Sequence, residues 1–527
     1  MDARARDTPR TGLVFGAATI LAAPFVILDS LVGVSWSDDE GTLMAGFRSL
    51  LDGRRMYDEI YSLYGPLYNL VYGLIYGVLR VPLTHDAGRL MFAALWLAYT
   101  AGLASFVWKL TRSAPAAVLG YALVLLWLHP LSQSPGHPVQ LCLLLLAAVL
   151  FLVLAIEQTS SPAAWAGLGA AVAGLALVKI NIGVYVGSAV LYALLRASPT
   201  NAWTSVAVRL LTAAMLCMPF AVQALLFDFD WVRTYCLFST LTVLAALIVS
   251  MPPARLASVR PTHWAVFILA GGLASLAIFV SMMAAGSSPY AIFNAVLLQS
   301  AGWIRNWWRP LHLPSYGLAA AAASVGAALL WRIAAARPEL RDQRELGLLV
   351  VRCAYAVASA AAAALSDPLL QFSIVLPFSW VIMLPPAQIL EPSPLARRAA
   401  GLTAVMMSLY AFPVESLHQD GVATLLPLAL APLVAHDALL ELRRRGFVGR
   451  GNARAATRIA VTAALVIGVR PTILVARAYF NMAPLDLPGA RLIRVDPERA
   501  DDLRWVTAQL SSCSASYSVP GMPSFAF

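Results

Sequence analysis

The sequence predicts an all-α, polytopic bundle of transmembrane helices, and three observations predict it. The 527 residues are 60% hydrophobic and only 12% charged, with a mean hydropathy of +0.74, which is too apolar for an array of soluble domains. Apolar runs recur along nearly the whole length, many near the roughly 20 residues that cross a bilayer as helix. The ten-residue alternating segments of a membrane barrel are absent, so helices remain as the way to satisfy backbone polar groups in lipid.

The first element starts at "MDARARDTPR", which has the charge of a signal-peptide basic region. Residues 12–34 lack a clear small-residue cleavage site, so they are expected to be an uncleaved first span. With Arg4, Arg6 and Arg10 inside, this span exits near Ser35 and puts residues 35–88 on the outer face. The segment "YGPLYNLVYGLIYGVL" is short, tyrosine-rich and broken by Gly and Pro. It is expected to lie in the interface, with its tyrosines at headgroup level.

A second span, about 89–110, returns to Lys109 and Arg112 on the inside. Further spans are expected near 114–130, 139–157, 162–179, 182–196, 203–227, 235–251, 262–283, 313–333, 346–365, 369–386, 399–414, 421–438 and 459–476, about 13 to 15 in all. Arg255, Arg260, Arg337, Arg341, Arg344, Arg397, Arg398 and the 443–458 cluster then fall inside. Outside short loops carry few cations, chiefly Lys179, Arg233, Arg305 and Arg309, and this asymmetry supports the frame. Residues 1–476 thus form one transmembrane domain. Residues 477–527 form a small external tail in which 497–510 is a candidate helix.

Net charge is +10, but the arginines mark topology rather than a nucleic-acid surface, and no nucleic-acid partner is expected. Cys142, Cys217, Cys236 and Cys353 lie in apolar runs and Cys513 stands alone, without disulfide or zinc spacing. His129, His137, His312 and His418 sit near outer span ends without ligand spacing, so no metal is assigned. No P-loop, dinucleotide glycine pattern or zinc-protease motif is present, and no cofactor is expected, with dependence on a divalent cation left open.

The chemistry concentrates in "SWSDDEGTLMAGFRSLLDGRRMYDEIYSLYGPLY", residues 35–68. Asp38 and Asp39 suit the cap of a helix beginning near Gly41, and capping is the plain explanation for either one. It does not explain the set, because Glu40, Asp52, Asp58 and Glu59 come after them, alternating with arginines and aromatics as around a polar ligand at a membrane surface.

This stretch resembles the GT-C superfamily of polytopic membrane glycosyltransferases, among them the protein O-mannosyltransferase and aminoarabinose-transferase relatives. Asp39-Glu40 matches the family's Asp-Glu pair where the first span meets the first external loop. Gly53, Tyr57-Asp58 and the "YGPLY" turn with Tyr64 match the remainder of that loop. Asp38 leaves two adjacent candidates for the catalytic aspartate. The resemblance implies an inverting transfer of sugar from a polyprenyl-phosphate donor to a glycan, lipid or protein acceptor, on the outside of a bacterial cytoplasmic membrane. Asp39, with Asp38 as the alternative, is then the base and Glu40 its helper. Tyr57, Asp58, Tyr64, Arg54 and Arg55 belong to the substrate loop, where the arginines either pair with its acids or bind phosphate.

A lipid-linked donor keeps its chain in the bilayer and its phosphate at the interface, so the reacting carbon meets the enzyme at this boundary. A general base takes the acceptor proton, and the phosphate leaving group needs a cation more than an acid. Lys179, one of two lysines among 37 Lys and Arg, sits in "LALVKINIGVY" with Asn181 beside it, as a phosphate site or as a snorkelling anchor. "GWIRNWWRP" reads as an aromatic belt in an outer loop. Two other classes remain: a transporter or flippase, whose ionisable groups belong at mid-span rather than crowded at a boundary, and an envelope glycan polymerase or ligase.

Overall fold

The computed structural model describes residues 8–34, 39–133, 135–251, 259–299, 302, 304, 308–386, 393–414, 416–449, 469 and 471–511. Helices follow one another in the order α1 (Thr8–Ser30), α2 (Asp39–Leu51), α3 (Pro66–Gly73), α4 (His85–Thr111), α5 (Ala114–Trp127), α6 (Val139–Thr159), α7 (Pro162–Val178), α8 (Ile180–Ala197), α9 (Ala202–Gln223), α10 (Asp230–Ser250), α11 (Pro261–Ala284) and α12 (Pro289–Phe293). Beyond them lie the helices Ser315–Ala335, Arg341–Leu365, Pro394–Met406, Leu417–Ala429 and Ala431–Arg444. Among the described residues, nine helical stretches are long and apolar enough to cross a membrane, and Phe15–Ser30, Ala114–Trp127, Pro162–Val178 and Pro368–Met383 are shorter apolar helices. The chain is therefore an all-α, multi-pass membrane protein.

Burial separates an inner from an outer group of helices. In His418–Arg444, 83% of the apolar window lies inside the protein, against 11% in both Ala202–Leu226 and Pro261–Ala284. The outer helices present Leu210, Ile268, Leu273 and Leu330 to the surroundings. Contiguous leucine-rich faces of this kind belong in lipid, since exposing each such side chain to water costs about 1.5–3 kcal/mol.

Several expected spans take a different form. Residues 369–386 become a helical turn, a π-helical segment and a 3₁₀ helix ending at Met383, where Pro377 removes a backbone donor. Residues 399–414 divide into Pro394–Met406 and a 3₁₀ helix Met407–Ala411. Residues 421–438 run through two helices that meet at Leu430, between Pro427 and Pro432. The span expected near 459–476 lies largely outside the described residues.

Charged groups gather at two opposite ends. At one end the Glu157 carboxylate accepts from the backbone N–H groups of Leu395 and Ala396 at 3.0 and 3.1 Å, and Arg397 pairs with Asp437 at 2.6 Å. Glu441 there binds Arg445 at 2.8 Å. The other end holds α2, α3, residues 129–133 and 135–138, and Lys179. The C-terminal segment meets that end too: β1 (Ala483–Pro484) pairs antiparallel with β2 (Arg494–Val495), and Val32 bridges to Arg494.

Small residues let the helices approach. A Cβ on Gly169 of α7 would stand 2.1 Å from the carbonyl oxygen of Phe267 in α11, the close backbone crossing that membrane helices use in place of a hydrophobic drive. Gly169→Ala is expected to cost about 1–3 kcal/mol through overpacking, although alanine is the better helix former by about 1 kcal/mol. Thermal unfolding in detergent, followed by tryptophan fluorescence, checks the sign: a raised midpoint would mean a looser crossing.

Candidate functional site

Asp38 lies outside the described residues. Asp39 opens α2, and its backbone alone is described. Glu40, the next residue, faces inward and is buried. Arg89 of α4 donates to it from Nη2 at 2.8 Å and from Nε at 3.1 and 3.2 Å, while His85 Nδ1 lies 3.0 Å from its other oxygen. The same guanidinium donates through Nη1 to the carbonyls of Ser30 and Gly33, at 3.2 and 2.7 Å. Burial alone would raise the Glu40 carboxyl, but the charge of Arg89 and the bonds from His85 and Arg89 bring it down to about 2.

The rest of the acidic loop is braced by Ser288 and by polar groups of its own. Asp58 accepts from the backbone N–H and hydroxyl of Ser288 at 2.7 and 2.8 Å, which holds its carboxyl below the usual range. Arg55 pairs with Glu59 at 3.0 Å, and Arg54 is exposed. The Tyr57 hydroxyl donates to the Tyr64 carbonyl at 2.6 Å and accepts from Asn69 at 2.8 Å, and burial pushes its titration upward. Tyr68, Tyr72 and Tyr76 turn inward around Phe47, with Tyr72 stacked on it at 5.0 Å, while Leu74, Val78 and Leu79 face out.

The "YGPLY" turn is pressed onto the junction of α7 and α8. Gly65 N–H donates to the Val178 carbonyl at 3.0 Å, and a Cβ at Gly65 would sit 2.0 Å from the Leu177 carbonyl oxygen, so only glycine fits. The next residue, Lys179, joins the two helices in an extended conformation without a loop. Its Nζ donates to the Tyr410 hydroxyl at 3.1 Å, 4.9 Å above that ring and 5.8 Å from the Tyr64 ring. Asn181 lies in the first turn of α8, where its amide oxygen accepts from Ile182 N–H at 2.9 Å.

Two histidines complete this neighbourhood. His137 packs edge-on against Tyr64 at 5.6 Å and against His418 at 4.7 Å. Burial, then the charge of Lys179 and the neighbouring His418, hold His137 well below the ordinary histidine range, so it is neutral. Its Nδ1 accepts from Val139 N–H at 3.3 Å, which assigns the proton to Nε2 and makes that atom a donor. Sequence reasoning saw His137 and His418 near outer span ends but missed their grouping with Lys179. Tyr410 carried no signal, being 231 residues from its partner.

Tryptophan packing accounts for the described part of "GWIRNWWRP". Trp308 meets Phe229 at 4.6 Å and Trp231 at 6.0 Å, and Arg309 N–H donates to the Pro413 carbonyl at 3.1 Å. Trp303, Arg305 and Trp307 lie outside the described residues. Among the described residues, no group of three His, Cys, Asp or Glu is placed to hold a metal ion.

No family model matches the chain, and no curated protein matches it. Among solved structures it is similar to the archaeal oligosaccharyltransferase AglB from Archaeoglobus fulgidus, determined in complex with an inhibitory peptide and a dolichol-phosphate. The likeness has a TM-score of 0.38 at 11% identity and covers 97% of this chain and 61% of that one. The chain thus spans less than two thirds of that protein's length, and a likeness this low transfers neither activity nor substrate.

The Glu40 pair yields a pH prediction. Because the folded carboxyl is depressed, its stabilisation is present above the ordinary carboxylate range and is lost as pH falls from about 4.5 to about 2. Glu40→Gln leaves Arg89 buried without its counter-charge and is expected to cost about 3–5 kcal/mol at pH 7, with a flatter acid limb. Melting temperature against pH for both proteins checks this. Parallel curves would remove the charge coupling.

Proposed function

We propose that this chain is an inverting glycosyltransferase of the GT-C type, taking a sugar from a polyprenyl-phosphate donor to an envelope glycan, lipid or protein hydroxyl. The reaction takes place on the outer face of a bacterial cytoplasmic membrane. One observation carries the reading: the Gly65 contact with Leu177 and Val178 brings the acidic loop and the Lys179 cation to one end of the helix bundle. A lipid-phosphate sugar requires that pairing, since its phosphate and anomeric carbon both lie at the boundary.

Asp39, or Asp38 beside it, accepts the proton as the acceptor O–H bond breaks. The acceptor oxygen forms the new bond at the anomeric carbon from the face opposite the phosphate. The C–O bond to phosphate breaks, and its electron pair leaves with the lipid phosphate. Lys179 holds that anion, with Asn181 and the neutral His137 as uncharged donors. The aromatic faces of Tyr64 and Tyr410 keep the ammonium in place. Glu40, bound to Arg89, orients the loop rather than exchanging protons.

Asp39→Asn preserves a helix cap but cannot accept a proton, so turnover is expected to fall roughly 10²–10⁴-fold with donor binding intact. Transfer of labelled sugar by purified Asp38→Asn and Asp39→Asn proteins checks this, and wild-type rates in both would sink the base assignment. Lys179→Ala is expected to raise donor KM, with partial recovery in Lys179→Arg; an unchanged KM would return the lysine to an anchoring role.

Cysteines introduced at Ser62 and Ser518 are expected to react with an impermeant thiol reagent in intact cells. Reaction only after permeabilisation would invert the orientation and move the site to the other face.

A further inference from the structure

The C-terminal segment is attached to the acidic loop by more than proximity. Arg494 N–H donates to the Leu31 carbonyl at 2.9 Å, and the Arg494 carbonyl accepts from Gly33 N–H at 2.8 Å. The Asp86 carboxylate, at the start of α4, accepts from the N–H groups of Arg491 and Leu492 at 2.9 and 3.1 Å. Asp86 N–H in turn donates to the Gly489 carbonyl at 2.9 Å. Gly489, at φ +79°, lies so close to Thr84 that a Cβ would stand 3.3 Å from it. Leu31 packs with Leu485, Ala490, Ile493, Val495 and Ala500 in an apolar cluster of its own.

These bonds converge on one side chain. Gly33, paired to Arg494 through its N–H, offers its carbonyl to Arg89, and Arg89 also holds Glu40. The short stretch between Gly33 and Glu40 is therefore pinned at both ends by a single guanidinium. Asp86 and Arg89 lie three residues apart at the start of α4, so the tail is fastened to the element that carries the pin.

We propose that residues 483–495 are a working part of the transfer site: a clamp that, through Gly33 and Arg89, sets the position of the chain bearing Asp39. Asp86, Arg89 and Arg494 are its positioning residues. The proposal rests on the glycosyltransferase reading for its consequence and on the hydrogen-bond geometry for its existence. A general base displaced by about 1 Å loses on the order of 10²-fold in rate, whereas a phosphate site on α7 and α8 is untouched by the tail.

The test uses the full-length protein in nanodiscs. Arg494→Pro deletes the N–H that pairs with Leu31, and Asp86→Ala deletes the acceptor for two tail amides, so each opens the clamp by a separate route. Amide exchange at 31–34 and 39–51 is expected to quicken about tenfold in each variant, with α6 to α8 unchanged. Single-turnover transfer from radiolabelled undecaprenyl-phosphate sugars extracted from the parent membranes is expected to slow roughly 10–100-fold, with donor KM within about twofold. Asp86→Glu, which keeps the acceptor, is expected to recover part of the rate.

Unchanged exchange at 31–51 overturns the clamp. So does quickened exchange with an unchanged rate, or a KM that rises as the rate falls. If wild-type protein transfers no sugar, quickened exchange still supports the clamp while the glycosyltransferase reading fails. If Arg494→Pro does not fold, Asp86→Ala decides alone.

Discussion

A guanidinium buried at a membrane boundary survives only with acceptors around it, and Arg89 draws them from the end of α1 and the start of α2. The Glu40 carboxylate supplies charge, while the Ser30 and Gly33 carbonyls supply the remaining lone pairs. Removing the Glu40 carboxylate leaves an uncompensated charge that costs several kcal/mol, so the end of α1, the start of α2 and the beginning of α4 are committed to one arrangement. The start of the acidic loop and its attachment to the tail are built outward from that arrangement, while the Gly65 contact with Val178 brings the far end of the loop to Lys179.

Lys179 illustrates a different way to keep a charge at the boundary. Its ammonium rests against two tyrosine rings and one hydroxyl, contacts that hold a cation in place. The same charge helps keep the nearby His137 neutral. One end of the bundle thus joins a positive point to uncharged donors, and three acids of the adjoining loop, Glu40, Asp58 and Glu59, are occupied by Arg89, Ser288 and Arg55.

The opposite end is organised by pairing. Arg397 and Asp437 are both buried and bind each other with two bonds, and Glu157 caps the helix that begins at Pro394. The arginines there read from sequence as topology markers, and several of them also hold the inner helices together.

Hydropathy and charge order in the sequence determined the all-α membrane class, the approximate places of most helices, and the gathering of acids beside the first span. These are local properties, set by runs of about 20 residues and by short loops, so a linear reading reaches them. Only the tertiary structure decided which acid is consumed by an internal bond, because Glu40 and Arg89 are 49 residues apart and their pairing depends on how α2 meets α4. It likewise decided that Tyr410 and His137 stand beside Lys179, and that Arg494 exchanges backbone bonds with Leu31 and Gly33. Such contacts arise where separately stable helices pack, and the energy that selects them, close fit and satisfied buried charge, has no period in the sequence.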